Sequence, residues 1–316
     1  MTDEEPTDLR RVILIDTDPG QDDAVALLLA LACSDALDVR LISTVAGNVS
    51  LDKTTANALR VRDLAGRRDV PVVAGMTQPI LLDLETAEFV CGPDGLSGAG
   101  LLPVAATAAA GHAVDAIIAA VRAAPAGIIT LCALGPLTNV AMALRLAPDI
   151  APRLREIVIM GGAMGLGNMT PAAEFNFYVD PHAAAIVLGA GIPTTLFGLD
   201  ATHQALACAA DLARLQGLGT ATGRAVHGML TRSRPGGLAT NAYPMHDPCV
   251  IAWLLWPELF KGRECHVVIE CDGNVRGRST IDWNGRTKHK PNAFVVNAID
   301  AARLFDRMIS ALATLP

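Results

Sequence analysis

The stretch RRVILIDTDPGQDDAVALLLALACSDALDVRLISTVAGN, residues 11–48, decides the fold. Val12 to Ile15 is a short continuous apolar run, the pattern of a strand buried on both faces. It runs into Asp16 and Asp18, a turn at Pro19-Gly20, and then Asp22 and Asp23. Ala24 to Cys33 reads as a long apolar helix, and Val39 to Val45 as a second buried strand. The unit is β-α-β, and its acids sit where the first strand stops and the helix starts. In open parallel sheets that carboxyl end is where ligands bind.

Four carboxylates within eight residues repel one another, so the arrangement anticipates a positive charge. A hard divalent cation takes several oxygen ligands, commonly Asp, backbone carbonyl and water. The plainer alternative is that Asp22 or Asp23 caps the helix and complements its dipole. Capping needs one acid, so the cluster reads as a metal site first and a cap second.

Outward from this unit, strand and helix signals alternate. Residues 51–66 read as a helix and 70–75 as a strand. From Met76 to Pro103 the chain is rich in Gly, Pro and Asp without period, the character of a lid or binding loop. Helix His112 to Ala124, strand Gly127 to Leu134, helix Leu137 to Leu146 and strand Glu156 to Met160 follow. After a loop at 161–180 come helix 181–190, strand Thr194 to Leu199 and a helical stretch from Asp211 to about Leu230. A second irregular segment, 232–245, precedes helix 248–256, two antiparallel strands (265–271 and 277–283) and a final helix near 299–313. Alternation of this kind predicts an α/β fold with an open, mostly parallel sheet flanked by helices. No shift in composition marks a boundary, so 1–316 reads as a single domain, with 1–10 an acidic, flexible N-terminal tail.

The chain is 51% hydrophobic and only 18% charged, which suits a compact globule with a large core. A net charge of −7 and the lack of a basic stripe speak against nucleic acid. Seven Cys without a CxxC, mostly in apolar runs, point to buried thiols in a reducing compartment. The N-terminal residues carry no apolar segment of a secretory signal, and no apolar run reaches the roughly 20 residues of a membrane span. A cytoplasmic protein without membrane partners is the expectation.

Polar residues recur just past the expected strands: Asn48, the turn Gly135-Pro136-Leu137-Thr138-Asn139, then Asn168, Glu174 and Asn176, and finally His246-Asp247. In a parallel sheet these ends share one side, so they can converge. Asn48 could equally be a turn-former after Gly47. GGAMGLGNMT at 161–170 fits neither spacing of the phosphate-binding glycine loops. Glu174 and Asn176 flank Phe175 at i, i+2, which in extended chain puts both on one face; solvated loop polarity is the alternative. Asp180-Pro181 reads as a helix cap. Asp247-Pro248 has the same form, yet a capping acid there also sits at a strand end. His246, with no apolar periodicity around it, is a candidate general acid. The other histidines have blander settings: His112 and His182 at helix starts, His203 and His227 in helical context, His266 in a strand and His289 in a basic turn.

Taken together, DTDPGQDDA (16–24), Gly47-Asn48, GPLTN (135–139), the Asn168…Glu174-Phe175-Asn176 loop and His246-Asp247-Pro248 resemble the nucleoside hydrolases. That family includes the inosine-uridine preferring enzymes and the ribonucleoside hydrolases. The resemblance runs in order from 12 to about 300. It implies a Rossmann-like sheet, assembly as homodimer or homotetramer, and Ca²⁺-dependent hydrolysis of the N-glycosidic bond of ribonucleosides. By position it implies Asp18, Asp23, Asp247 and the Leu134 carbonyl as Ca²⁺ ligands, with Asp22 and the ribose hydroxyls near the metal. It makes Asp18 the base for the attacking water and Asn48 its anchor. Asp22, Asn168, Glu174 and Asn176 would hold the ribose, Phe175 would line the pocket and His246 would protonate the leaving base. One departure stands out: several members, pyrimidine-preferring ones among them, carry a His before Gly in the loop that here reads VCGPDGL (90–96). This chain has Cys91 there, so no base preference is inherited. Nothing near Cys91 in sequence would lower its pKa and make it a nucleophile.

Two rivals remain at the level of sequence. Asp16-x-Asp18 after a strand also suits DxD-type phosphohydrolases, but those need a later acidic pair and a lysine, and here the only Asp-Asp is 22–23, beside the first motif. A non-catalytic Ca²⁺-dependent sugar-binding protein would explain the acids but leaves His246 without a role.

Overall fold

The computed structural model describes residues 10–103, 105–231 and 243–316. Most of the expected N-terminal tail and most of the irregular segment at 232–245 therefore lie outside the described residues. The strands are β1 (Arg11–Thr17), β2 (Leu37–Thr44), β3 (Val72–Ala74), β4 (Thr130–Ala133), β5 (Glu156–Met160), β6 (Thr194–Phe197), β7 (Leu206–Ala207), β8 (Tyr243–Pro244), β9 (Phe260–Ile269), β10 (Ser279–Asp282) and β11 (Ala293–Ile299). Nine of them form one sheet in the order β10-β9-β11-β6-β5-β4-β1-β2-β3. From β3 to β11 every pairing is parallel, and β9 then runs antiparallel to both β11 and β10. The sheet is thus open, mostly parallel and Rossmann-like, as expected.

The order turns at β1. The chain moves outward from β1 through β2 to β3, returns across the sheet, and resumes on the other side of β1 with β4. A crevice opens at such a switch point, beyond the carboxyl ends of the two central strands. Register aligns Asp16 of β1 with Ala133 of β4, so Asp18 and Leu134 leave the sheet side by side.

Helices cover both faces. Helix Gln21–Ala32 is buried along nearly its whole length because it lies between the sheet and helix Pro248–Leu255, which explains its uniformly apolar sequence. Helices Ala113–Ala123, Thr138–Leu146 and Pro181–Leu188 build the second core on the opposite face. The last helix, Ala301–Leu312, buries Leu304, Phe305, Met308, Ile309 and Leu312 along one stripe.

Three features depart from the sequence-based expectation. The helical stretch after Asp211 is two helices, Ala209–Gly217 and Ala221–Thr231, with Gly219 at φ 68 between them. Strand β11 was not anticipated; its short apolar run becomes a strand because β6 and β9 supply partners on both sides. The pair β7-β8 is likewise tertiary in origin and ties residues 206–207 to 243–244. Among the described residues no helix is long and apolar enough to cross a membrane. All seven cysteines are free thiols, four of them buried.

Candidate active site

The DTDPGQDD turn is fixed from within. Asp23 accepts hydrogen bonds from the Thr17 hydroxyl (2.6 Å) and from the amides of Gly20 (3.0 Å) and Asp18 (3.3 Å). Asp23 therefore does close the first turn of its helix, as the capping alternative proposed, while also facing the cluster. Asn48 bridges the same turn. Its amide donates to Asp18 Oδ2 (2.6 Å), and its Nδ2 donates to the Asp18 carbonyl (3.2 Å) and to Asp23 Oδ2 (3.1 Å). Asn48 is thus a brace for two carboxylates rather than a bare turn-former.

The Asp18 carboxylate is seated between two glycines. A Cβ on Gly47 would stand 2.2 Å from Oδ2, and one on Gly135 would stand 2.3 Å from Oδ1. Close approach, not backbone freedom, therefore fixes both glycines. Asp18 is 1% exposed, and its Oδ1 is buried without a hydrogen-bond partner. Such an atom is costly unless a ligand completes it.

Carboxylate oxygens of Asp22, Asp23 and Asp247 lie within 4.8 Å of one another beside it. The sequence motif supplied Asp22 and Asp23; Asp247 arrives from more than two hundred residues away on helix Pro248–Leu255. Asp247 occupies that helix's N-cap position, but its side chain makes no capping hydrogen bond. It turns into the site instead, where it meets Asp23. Asp180, by contrast, caps as expected, accepting from the Ala183 amide (3.0 Å).

Burial first, then mutual repulsion, raises these acids. Asp18 is pushed well above the ordinary carboxylate range by burial and by Asp23, and Asp247 likewise by burial and by Asp22. Asp23 is pushed up to about 6 by burial and Asp22. A bound divalent cation would reverse every one of these shifts. The unpartnered buried oxygen, the three convergent carboxylates and the neighbouring Leu134 carbonyl are a donor set that fits a hard, oxygen-liganded ion.

Above the acids lies an open cavity of about 240 Å³. Asp22, Asn48, Leu134, Asn168, Glu174, Phe175, Asn176, His246 and Asp247 all line it, so the residues read from the strand ends converge. Asp18 and Asp23 lie beneath its floor, buried.

The loop after β5 is organised differently from the sequence-based picture. Glu174 and Asn176 are not in one extended segment. Glu174 is the N-cap of a short helix, Phe175–Val179, and Asn176 is inside that helix. Glu174 accepts from the amides of Asn176 (2.9 Å), Phe177 (3.2 Å) and Gly162 (2.9 Å). Burial pushes its carboxyl up to about 7, and those three amides pull against the rise. Asn176 donates to the carbonyls of Leu134 (2.7 Å) and Met160 (3.1 Å), which ties the loop to β4 and β5. Asn168 accepts from the Phe175 amide (2.9 Å) and so folds the glycine-rich 161–170 segment back on the helix. Both Glu174 and Asn176 are buried, which excludes solvated loop polarity.

His246 meets the cavity from the opposite side, with Nδ1 2.7 Å from the Thr202 hydroxyl. His203, merely helical in its sequence setting, belongs to the site as well. His203 also lines the cavity, and its ring centroid lies 5.4 Å from that of His246. It closes helix Leu199–Thr202, directly after β6. Its place just past a strand is the signal by which sequence alone could have found it.

Cys91 lies in the cavity wall, buried, with its thiol donating to the Ala87 carbonyl (3.2 Å). Burial and Asp18 push it up to about 12, so it is an inert wall residue and not a nucleophile. Phe89 and Val90, on the same short helix Glu88–Cys91, are further lining residues that sequence reasoning left unassigned.

Comparison with known proteins agrees with this geometry. The family model for inosine-uridine preferring nucleoside hydrolases matches residues 13–306. A Shewanella woodyi protein named pyrimidine-specific ribonucleoside hydrolase RihA is 41% identical, over 97% of this chain and 99% of its own. Among solved structures, the plant nucleoside hydrolase PpNRh1 superimposes with a TM-score of 0.89 at 32% identity, over 96% of this chain and 99% of its own. A purine-preferring ribonucleoside hydrolase from Gardnerella vaginalis gives 0.89 at 28% identity, over 96% and 98%.

Proposed function

The chain belongs to the inosine-uridine preferring nucleoside hydrolase family and is a hydrolase acting on N-glycosyl compounds; from that premise we propose Ca²⁺-dependent hydrolysis of ribonucleosides to free base and ribose. The observation that carries the proposal is the unpartnered, buried Asp18 Oδ1 beside the convergent acids Asp22, Asp23 and Asp247, beneath the cavity.

Asp18, Asp23, Asp247 and the Leu134 carbonyl would hold the ion, with Asp22 beside it. When bound, Ca²⁺ supplies positive charge that acidifies the attacking water and orients the ribose hydroxyls. The protein's own groups do the rest. Asn48 occupies Asp18 Oδ2, so Oδ1 is the oxygen placed to take the water's proton. Cleavage of the bond from C1′ to the base nitrogen leaves positive charge on the sugar, and the surrounding carboxylates stabilise it. The bonding pair departs with the base, which takes a proton from His246, while water's oxygen bonds to C1′. Net proton balance is restored when solvent carries the proton from Asp18 back to His246. Glu174, Asn176, Asn168 and Asp22 face the ribose; Glu174 and Asn176 are pinned by backbone partners, so they are positioned before substrate arrives.

The test is a reducing-sugar assay across inosine, adenosine, guanosine, uridine and cytidine, before and after exhaustive chelation. Ribose release that chelation abolishes and Ca²⁺ restores is expected. Full turnover by demonstrably metal-free protein would refute the metal assignment, and no ribose release from any of the five would refute the activity.

A further inference from the structure

We propose that Thr202 is a positioning residue for the reaction: its hydroxyl holds the His246 ring so that the nitrogen carrying the proton, Nε2, serves the leaving base. The inference rests on the reading of His246 as the leaving-group acid and adds the group that keeps it in that form.

The backbone places Thr202 before any side-chain contact is considered. It is the last residue of helix Leu199–Thr202, whose amides reach back to Gly198 and Leu199. The next residues are zipped to the chain before His246. β7 pairs with β8, aligning Ala207 with Tyr243 and Leu206 with Pro244, and the Met245 amide donates to the Ala205 carbonyl (2.8 Å). Thr202 and His246 are thereby held on two segments tied to each other at three successive points.

Thr202 is fully buried, and among the described residues the contact of its Oγ1 with His246 Nδ1, at 2.7 Å, is its only side-chain hydrogen bond. Buried hydroxyls are nearly always satisfied as donors. With one partner available, the O–H donates to Nδ1, and a neutral ring must then carry its proton on Nε2. In the imidazolium form the same hydroxyl turns and accepts from Nδ1–H, and Nε2 is again protonated. A rotating hydroxyl thus serves both states, and it is the imidazolium that gives its Nε2 proton to the leaving base and is left neutral. A carbonyl at this place would demand Nδ1–H and leave a neutral ring with a bare Nε2. A carboxylate would add a fifth negative charge to a site that already concentrates Asp18, Asp22, Asp23 and Asp247. Threonine avoids both.

The experiment uses the Ca²⁺-loaded, full-length protein. Thr202→Val keeps the shape and removes the hydroxyl, Thr202→Ser keeps the hydroxyl, and His246→Ala runs in parallel. Each is assayed on a ribonucleoside and on 4-nitrophenyl riboside, whose leaving group is stable as an anion and needs no proton. Thr202→Val is expected to lower kcat on the nucleoside about 10-fold, the lower end of what losing an orienting partner costs, with KM little changed and the nitrophenyl substrate spared. Thr202→Ser should restore most of that loss. Equal losses with Val and Ser, equal losses on both substrates, or no loss with Val would overturn the inference. The parallel variant separates the two failures. If His246→Ala loses nucleoside turnover selectively and Thr202→Val does not, only the positioning role falls. If His246→Ala shows no selective loss, the acid assignment itself falls. Should the Val variant not fold, ¹⁵N-histidine NMR of the unmodified protein decides, with His246→Ala for assignment. A pyridine-like Nδ1 and a pyrrole-like Nε2 in the neutral ring are expected, and the reverse would overturn the inference.

Discussion

The floor and the wall of the cavity are built on different principles. The floor consists of Asp247, Glu174 and Asn176 with Asp18 and Asp23 beneath them, all buried, on or directly beside sheet strands and helix starts. Except on Asp247, nearly every polar atom there has a named partner, and the conspicuous exception is the buried Asp18 Oδ1. The wall consists of Phe89, Phe175 and His203, on or directly after short helices. Phe89 is 59% exposed although it lines the cavity. The difference teaches where chemistry and selectivity separate. In the proposed reaction a rigid, desolvated floor would fix water, metal and ribose, which are the same for every ribonucleoside. A loop-borne wall can change residue by residue without disturbing the floor. Relatives named as pyrimidine-specific and as purine-preferring share this fold, as such a division of labour requires.

The division can be broken by mutation. The largest effect is expected for Asp18→Asn, which keeps the shape and removes the base. It should lower kcat by about 10³-fold or more, to the same extent on nucleosides and on 4-nitrophenyl riboside. A variant that spared either substrate would show that the floor is not common to all of them.

Next come Glu174→Ala and Asn176→Ala. Each removes a pinned ribose-facing group, and about a 10²-fold loss in kcat/KM on every base is expected. Loss confined to some bases would move this loop from floor to wall. Unchanged kcat/KM in both variants would make the loop purely structural.

Phe89→Ala should have a smaller and differently shaped effect. A few-fold change, corresponding to roughly 1–3 kcal/mol at most, is expected mainly in KM, and it should differ among the five ribonucleosides. A uniform change across all of them would deny the wall its selective role.

The smallest expected effect concerns stability. Asp23 and Glu174 have folded-state values raised to about 6 and about 7. A carboxyl whose value is raised on folding binds its proton more tightly in the folded state. Its stabilisation is present below the unfolded value and is lost as pH rises through the folded one. Metal-free protein should therefore lose Tm between about pH 5 and pH 8, and saturating Ca²⁺ should remove most of that slope. A Tm independent of pH in the metal-free protein would mean that these acids are not the buried, repelling floor described here.

The sequence by itself determined the α/β architecture, the β1-helix-β2 core and the acids at its turn. Those depend on local pattern: Val12–Ile15 reads as a buried strand, and the uniformly apolar helix after Asp23 needs cover on both sides, which the sheet and helix Pro248–Leu255 provide. Asn48, Asn168, Glu174 and Asn176 were legible because parallel strands point their carboxyl ends to one side. What only the tertiary structure decided depends on partners distant in the chain. Strand β11 exists because β6 and β9 flank it. Glu174 caps its helix through local amides, but the Gly162 amide that also donates to it meets it only across the folded loop. Asp247 leaves its own helix start uncapped because Asp23 stands opposite, and His203 and Thr202 join the site because β7 and β8 zip their segments to His246. Local periodicity carries no information about such encounters, since each is fixed by the packing of elements that the sequence separates by tens to hundreds of residues.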